Sequence, residues 1–279
     1  MNSFSQFSEL ELQGWQDRAA DYEATTHRMT GSTIPNLIAA TEVAAGDRVL
    51  DVCCGTGAVA QQLVADGAVV CGADFAPAMV AAAEVNVPEG DFRQADAQDL
   101  PYEPDSFDAV VSNFGHYHLP DPDTAISEAA RVLRAGGRYG FTTWVGPDQS
   151  PGFRLIFETI LNNVDPEVAL PPAPDAFRLA NEATTKTVLV SAGFTDIRIE
   201  TFASTITCAP DDFVTFLKAA TVRATLVLKA QPEVVRLRIE RLLRDRIEAF
   251  VRDGRVVLPV PNRIITATRI SFDGTGCDN

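Results

Sequence analysis

With 279 residues, 46% of them apolar, the chain is long enough to bury a sizeable core, as one large domain or one domain with an appended lobe. Its net charge of −15 and pI near 4.6 repel phosphate backbones, and no lysine or arginine cluster interleaved with aromatics offsets them, which excludes nucleic acid as a partner. The five cysteines (Cys53, Cys54, Cys71, Cys208, Cys277) form an odd set without metal-ligand spacing. There is neither a basic start followed by an apolar core nor an uncharged apolar run of about 18 residues, so the expectation is a soluble protein of the reducing cytoplasm with no membrane insertion.

In chain order, Leu10, Leu12, Trp15, Ala19, Ala20 and Tyr22, set among charges between Ser8 and Thr30, predict an amphipathic helix lying against the domain. A second helix is expected from about Ser32 to Ala45, with Pro35 in its first turn and Gly46 closing it. Strands are then expected at Asp47 to Val52, Val69 to Ala73, Asp91 to Ala95, Phe107 to Asn113 and Gly137 to Trp144. Between them come helices at Ala58 to Ala65, Ala76 to Val85 and Ala125 to Leu133. This alternation implies an α/β fold with a parallel sheet covered by helices on both faces. Past Gly146 prolines 147, 151, 166, 171, 172 and 174 cut the chain into short pieces. Helices are expected at Phe153 to Asn162, Glu182 to Ala192, Asp211 to Leu228 and Pro232 to Arg252, with a strand at Thr195 to Thr207 and a last extended pair within Val256 to Ile270. The small, polar stretch from Ser271 to Asn279 reads as a disordered tail.

The chain is organised around Val49-Leu50-Asp51-Val52-Cys53-Cys54-Gly55-Thr56-Gly57-Ala58, an apolar strand running into a glycine turn and a helix. Gly55 and Gly57 let the backbone turn tightly and approach a ligand. The residues 55–60 satisfy G-x-G-x-x-G/A, which a dinucleotide site also shows. Asp51 argues against that alternative: a carboxylate so near a helix start repels a pyrophosphate and attracts a ligand carrying an ammonium and a sulfonium. Asp74, about 20 residues after the turn, stands where an acid accepts hydrogen bonds from both hydroxyls of a ribose. Asp96 and Ala97, after the third strand, can meet the edge of an adenine, the carboxylate accepting from its amino group and the next backbone N–H donating to the ring.

Together Val49 to Gly57, Gly72-Ala73-Asp74-Phe75, Asp96-Ala97-Gln98-Asp99-Leu100-Pro101, Phe107-Asp108-Ala109-Val110-Val111-Ser112 and Val132-Leu133-Arg134-Ala135-Gly136-Gly137 resemble the class I S-adenosylmethionine-dependent methyltransferases, in particular the small-molecule branch of ubiquinone and menaquinone C-methyltransferases. The likeness covers roughly Trp15 to Trp144. It implies a Rossmann-like seven-stranded, mostly parallel sheet of order 3-2-1-4-5-7-6 whose last strand is antiparallel, the final two strands being Thr195 to Thr207 and the run near Ile264 to Ile270. N-terminal helices and a helical insertion before the last strand would complete it. It divides the chain into an N-terminal helical cap (1–46), a cofactor-binding core (47–146), a half supplying pocket walls and last strands (147–270), and the tail (271–279).

The same resemblance implies S-adenosyl-L-methionine as cofactor and no metal. Asp51 and the backbone of Cys53 and Gly55, in the turn closed by Gly57, would hold the methionine end, with the Asn113 region near its amine. Asp74 would hold the ribose, Phe75 and Met79 the adenine faces, Asp96 and Ala97 its edge, and Tyr22 would close the pocket. Cys53 departs from the commoner Gly or Ala, which matters little for a position that offers its backbone. Methyl transfer is an in-line displacement served by alignment and desolvation, and an acceptor that carries a proton needs a base. His116 and His118, following the fourth strand, are the candidates, with Tyr117, Trp144 and Phe153 as walls for an aromatic or apolar acceptor. The expected partner is a small molecule, with a homodimer left open. Two other readings remain: a cofactor-binding protein without turnover and an NAD-dependent oxidoreductase, the latter lacking a Tyr-x-x-x-Lys pair.

Overall fold

Leu50 and Val110, neighbours across two strands, face one layer of the core, and Val49 and Val111 face the other. Such two-sided apolar strands need helices on both faces. In the computed structural model, which describes residues 5–169 and 173–271, β1 (Arg48–Val52) sits at the centre. It lies parallel to β2 (Val69–Asp74) on one side and β4 (Phe107–Asn113) on the other. β3 (Asp91–Gln94) extends the sheet beyond β2, and β5 (Leu133–Trp144) extends it beyond β4. β10 (Asn262–Arg269) runs antiparallel between β5 and β6 (Phe194–Phe202). The seven-stranded order β3-β2-β1-β4-β5-β10-β6 is the order 3-2-1-4-5-7-6 expected from the sequence.

Helices α3 (Ile34–Thr41), α4 (Ala58–Ala65) and α5 (Pro77–Asn86) cover one face, with Leu37, Leu63 and Val80 buried against it. The opposite face packs Ile126 of α6 (Pro122–Val132) and Leu189 of α8 (Glu182–Ser191) on Tyr139 and Phe141. The remaining helices, α1 (Ser5–Gln16), α2 (Thr26–Thr30), α7 (Pro151–Leu161), α9 (Phe213–Ala220), α10 (Val222–Ala230) and α11 (Glu233–Ile247), gather over the strand ends. Most of them share a third apolar cluster that includes Met29, Phe153, Leu217 and Leu243.

Several boundaries differ from the sequence reading, each for a physical reason. The predicted strand Thr195 to Thr207 is two. After β6 the chain leaves the main sheet, and β7 (Thr205–Cys208) pairs with β9 (Arg255–Pro259) in a separate three-stranded sheet, order β7-β9-β8, with β8 (Val251–Arg252). A period-two pattern reports that a segment is extended, not which sheet it joins. Ser204 anchors the switch, its carbonyl accepting from Val260 N–H (2.8 Å) and its hydroxyl from Asn262 Nδ2 (2.6 Å). The predicted helix Asp211 to Leu228 breaks at Thr221, whose backbone is extended (φ −132°, ψ 125°). The carbonyls freed there are taken by Arg18, which donates to Lys218 O (3.0 Å), Ala219 O (3.0 Å) and Thr221 O (3.2 Å). Basic groups favour the carbonyl end of a helix. The same reach ends the predicted Ser8 to Thr30 helix at Gln16, after which come a 3-10 turn (Ala19–Asp21) and α2. The second predicted helix stops at Thr41, because Glu42 takes the left-handed conformation (φ 57°) expected at Gly46. The predicted Pro232 to Arg252 helix ends at Ile247, its last residues forming a 3-10 turn and β8. Pro171, Pro172, Cys277 and the predicted tail after Ser271 lie outside the described residues. Among the described residues no helix is long and apolar enough to cross a membrane.

Candidate functional site

The loops leaving β1, β2 and β4 meet above the sheet, at the crevice where open α/β sheets bind ligands. Cys53 and Phe114 both hold left-handed backbones (φ 58° and 61°), uncommon for residues with a side chain and concentrated at functional sites. Gly55 (φ 55°) and Gly57 (φ 90°) complete the turn, Gly57 standing at the N-terminus of α4. Asp74 clamps this turn from the end of β2: Oδ2 accepts from Gly55 N–H (2.9 Å) and Oδ1 from Ala76 N–H (2.9 Å). Burial pushes the Asp74 carboxyl up to about 6, against these hydrogen bonds, which favour its charged form.

The turn and the β4 loop are in contact through Gly115. A Cβ at that position would lie 2.5 Å from Cys53 Cβ and 2.7 Å from Ser112 Oγ. Gly115→Ala is therefore expected to cost about 1–3 kcal/mol through overpacking of a fixed loop. Urea denaturation checks it: an unchanged midpoint would mean the two loops are free to part.

Asp51 lies in register with Gly72 of β2 and Val111 of β4 and is 1% exposed. Neither carboxylate oxygen closes a full hydrogen bond, although the backbone N–H of Ala60 lies near enough to favour the charged form. Burial first, and the nearby Asp74 charge second, push its carboxyl up to about 8. An unpartnered buried acid is costly and rare in a folded protein.

Beside the glycine turn opens a cavity of about 1080 Å³, its mouth included. Of the residues predicted from sequence, Tyr22, Cys53, Gly55, Asp74, Phe75, Met79, Asn113 and His118 line it. Asp96 and Ala97 line an adjoining smaller pocket that shares Cys53, Asp74, Phe75 and His118. Asp51, Gly57 and His116 line neither; Asp51 and Gly57 belong to the strand and turn behind the wall. Tyr22 folds over the glycine turn, its hydroxyl 3.6 Å from where a Gly55 Cβ would stand. Thr56 ties the same segment down, donating to Glu23 Oε1 (2.7 Å). The Asn113 amide is already engaged, donating to Thr30 O (3.2 Å) and accepting from the Thr142 hydroxyl (2.8 Å), so its region rather than its side chain faces the cavity.

The two histidines separate. His116 is buried beneath the cavity floor, where Nε2 meets the Tyr139 hydroxyl at 2.7 Å and the ring lies 4.8 Å from that of Phe141. Burial pushes its imidazole down to about 4. His116, a candidate base in the sequence, lines neither cavity: its ring packs in the core, with Nδ1 buried and without a hydrogen-bond partner. His118, two residues on in the same 3-10 turn, lines the cavity.

The other walls are apolar and come from far along the chain. Phe114 stacks on Trp144 (centroids 4.0 Å apart), Trp144 meets Phe153, and Leu217, Ala220 and Val222 close the far side. Glu11 and Arg223 were not anticipated. Glu11 is fully buried and approaches His118 (2.8 Å) and Arg223 (3.6 Å). The signal was present in α1, where Phe7, Glu11 and Trp15 recur at a spacing of four and are all buried, an acid in the middle of a core-facing stripe.

A profile described as a methyltransferase domain matches residues 50–141. A demethylmenaquinone methyltransferase of Clavibacter sepedonicus is 42% identical over 97 residues, 34% of this chain and 40% of that protein. The demethylmenaquinone methyltransferase of Thermus thermophilus is 36% identical over 165 residues, which cover 53% of this chain and 74% of that protein. The chain belongs to the class I S-adenosylmethionine-dependent methyltransferases. The crystal structure of the YcgJ protein from Bacillus subtilis shares this fold (TM-score 0.60, 19% identity, 86% of this chain and 99% of that one). Against the first relatives the chain matches about half of their own length, 40% and 47% for instance. In this chain the segment 50–141 supplies the glycine turn, Asp74 and His118, whereas Trp15, Tyr22, Trp144, Phe153 and Leu217 come from outside it.

Proposed function

We propose that the chain binds S-adenosyl-L-methionine and transfers its methyl group to a small apolar or aromatic acceptor. The observation that carries this reading is Asp51, a buried carboxylate with no partner behind a glycine turn. A cationic ammonium at that turn would favour the ionised carboxylate that burial disfavours, whereas a pyrophosphate would disfavour it further. The residues present therefore fit the cofactor. Asp51 and the backbone of Cys53 and Gly55 would hold the methionine end, with the Asn113 region near its amine. Asp74 would accept from the ribose hydroxyls with the lone pairs its two backbone bonds leave over. Phe75 and Met79 would flank the adenine, Asp96 and Ala97 would meet its edge, and Tyr22 would close the cavity.

When bound, the cofactor supplies an electrophilic methyl group on a sulfonium. The chain contributes alignment and dryness: Phe114, Trp144 and Phe153 hold an acceptor against the turn and exclude water, which strengthens each charge interaction inside. His118 lies on the wall, away from the ribose role given to Asp74, and would take a proton from the acceptor. On this reading residues 47–146 bind the cofactor, while 1–46 and 147–270 form cap and walls. The acidity of the chain supports a small-molecule partner over nucleic acid, and the free thiols of Cys53, Cys54, Cys71 and Cys208 support a reducing, cytoplasmic setting.

The test is release of S-adenosylhomocysteine from S-adenosylmethionine in the presence of phenols, quinols and amines of increasing apolar bulk. A quinol comes first because relatives carry the name demethylmenaquinone methyltransferase. Turnover confined to apolar acceptors is expected. Turnover of polar amines alone would contradict the acceptor class, and cofactor binding without turnover of any acceptor would point to a sensor.

A further inference from the structure

We propose that Glu11 is a positioning residue for His118: it holds the Nδ1–H tautomer and leaves the Nε2 lone pair as the proton acceptor at the cavity wall. This rests on the methyltransferase reading for its purpose, though not for its test. His118 Nδ1 lies 2.8 Å from Glu11 Oε2, and the side chain makes no other hydrogen bond among the described residues. Glu11 is itself held. Trp15 Nε1–H donates to the same Oε2 (3.2 Å), and the other oxygen lies 3.6 Å from Arg223 Nε. Arg223 is pinned in turn, donating to Tyr117 O (2.9 Å), with its guanidinium between the rings of Phe7 (4.7 Å) and Tyr117 (4.8 Å). The Trp15 ring meets His118 edge-on at 4.7 Å.

Burying a carboxylate is expensive, and a single cation at 3.6 Å compensates it poorly. What the arrangement achieves is orientation. A nucleophile's base needs one nitrogen fixed so that the other presents its lone pair, the logic by which an acid orients an imidazole in hydrolytic triads. The charged groups facing His118 are Glu11 and, beyond it, Arg223 from the helical side, and Asp74 from the end of β2. When an acceptor hydroxyl ionises, its proton goes to the Nε2 lone pair and the bonding electron pair stays on oxygen. The resulting imidazolium keeps its Nδ1–H on the Glu11 carboxylate. His116 cannot share this task, since its Nε2 already faces the Tyr139 hydroxyl.

The experiment is a long-range ¹H–¹⁵N spectrum of the uniformly labelled, full-length protein with no ligand added. The chain has three histidines, and the His118 signals are assigned by their loss in His118→Gln. Wild type is expected to show neutral His118 as Nδ1–H, with the Nε2–H tautomer below about one tenth. Glu11→Gln should populate both tautomers, because an amide can present either a donor or an acceptor to Nδ1, while the His27 and His116 signals report that the variant is folded. Predominance of the Nε2–H tautomer in wild type, or a His118 pattern that Glu11→Gln leaves unmoved, would overturn the proposal. Calorimetry with S-adenosylmethionine on the same samples separates the two ideas: wild type that binds no cofactor fails the functional reading, whatever the tautomer.

Discussion

Asp74→Ala is expected to lower affinity for S-adenosylmethionine and S-adenosylhomocysteine by at least about 100-fold. The carboxylate has two tasks here. It fixes Gly55 N–H and Ala76 N–H, and on the proposed reading it accepts from two ribose hydroxyls. Hydrogen bonds to a charged group are worth about 1.5–3 kcal/mol each, so losing the ribose pair alone removes about 3–6 kcal/mol, or two to four orders of magnitude in Kd. Asp74→Asn separates the tasks. Its single carbonyl oxygen cannot serve both backbone donors and both hydroxyls, so an intermediate loss is expected. Titration calorimetry reads both variants, with far-ultraviolet circular dichroism confirming the fold. Binding in Asp74→Ala within a few-fold of wild type would remove the ribose assignment.

Asp51→Asn should separate stability from binding. The sign follows from the pKa values: an acid raised in the folded protein to about 8 favours the native state while protonated, and that contribution is lost as pH rises from about 4 through 8. Asp74, raised to about 6, adds to the same trend over the lower part of the window. His116, lowered to about 4, runs the other way up to its ordinary range and offsets Asp74, so the Asp51 contribution leaves wild-type stability falling between pH 4 and 8; the Asp51→Asn variant should show a shallower fall, the difference amounting to a few kcal/mol at the top of the window. Denaturant titrations at several pH values measure it, and parallel curves for the two proteins would contradict it. Cofactor binding should move oppositely, because a buried ammonium loses its counter-charge. Removing one partner of a buried ion pair costs about 3–5 kcal/mol, more than 100-fold in affinity. A site that is less stable for want of its ligand is the usual form of the stability–activity trade-off.

What could be read in the sequence was what depends on neighbours along the chain. The glycine turn, the acids at the ends of β1 and β2, and the parallel order of β1 to β5 follow from short apolar runs and turn residues, and each lies where it was expected. What could not be read depends on residues meeting from far apart. No local pattern shows that Arg18 takes the carbonyls of a helix end some 200 residues away, so the break at Thr221 was missed along with the end of α1. Ser204 and the prolines before Asn262 interrupt the apolar pattern, but do not show that the pieces on either side belong to different sheets. The two histidines were indistinguishable in sequence because they lie two residues apart. In a 3-10 turn of three residues per turn, that offset puts them on different sides, one in the core and one at the cavity. Glu11 falls in the four-spaced stripe of Phe7 and Trp15, but spacing alone does not show that an acid there is buried against His118.

The central claim is that a buried, unpartnered Asp51 awaits the cationic end of S-adenosylmethionine. The most direct measurement is calorimetric titration of the whole chain at pH 7 with S-adenosylmethionine, S-adenosylhomocysteine and NAD, repeated in two buffers of different ionisation enthalpy. An acid held at about 8 is mostly protonated at that pH, so ion pairing on binding must expel close to one proton. The account predicts that the first two ligands bind with that release and that NAD gives no heat of binding. Binding of NAD alone, or binding of S-adenosylmethionine with no proton released, would contradict it.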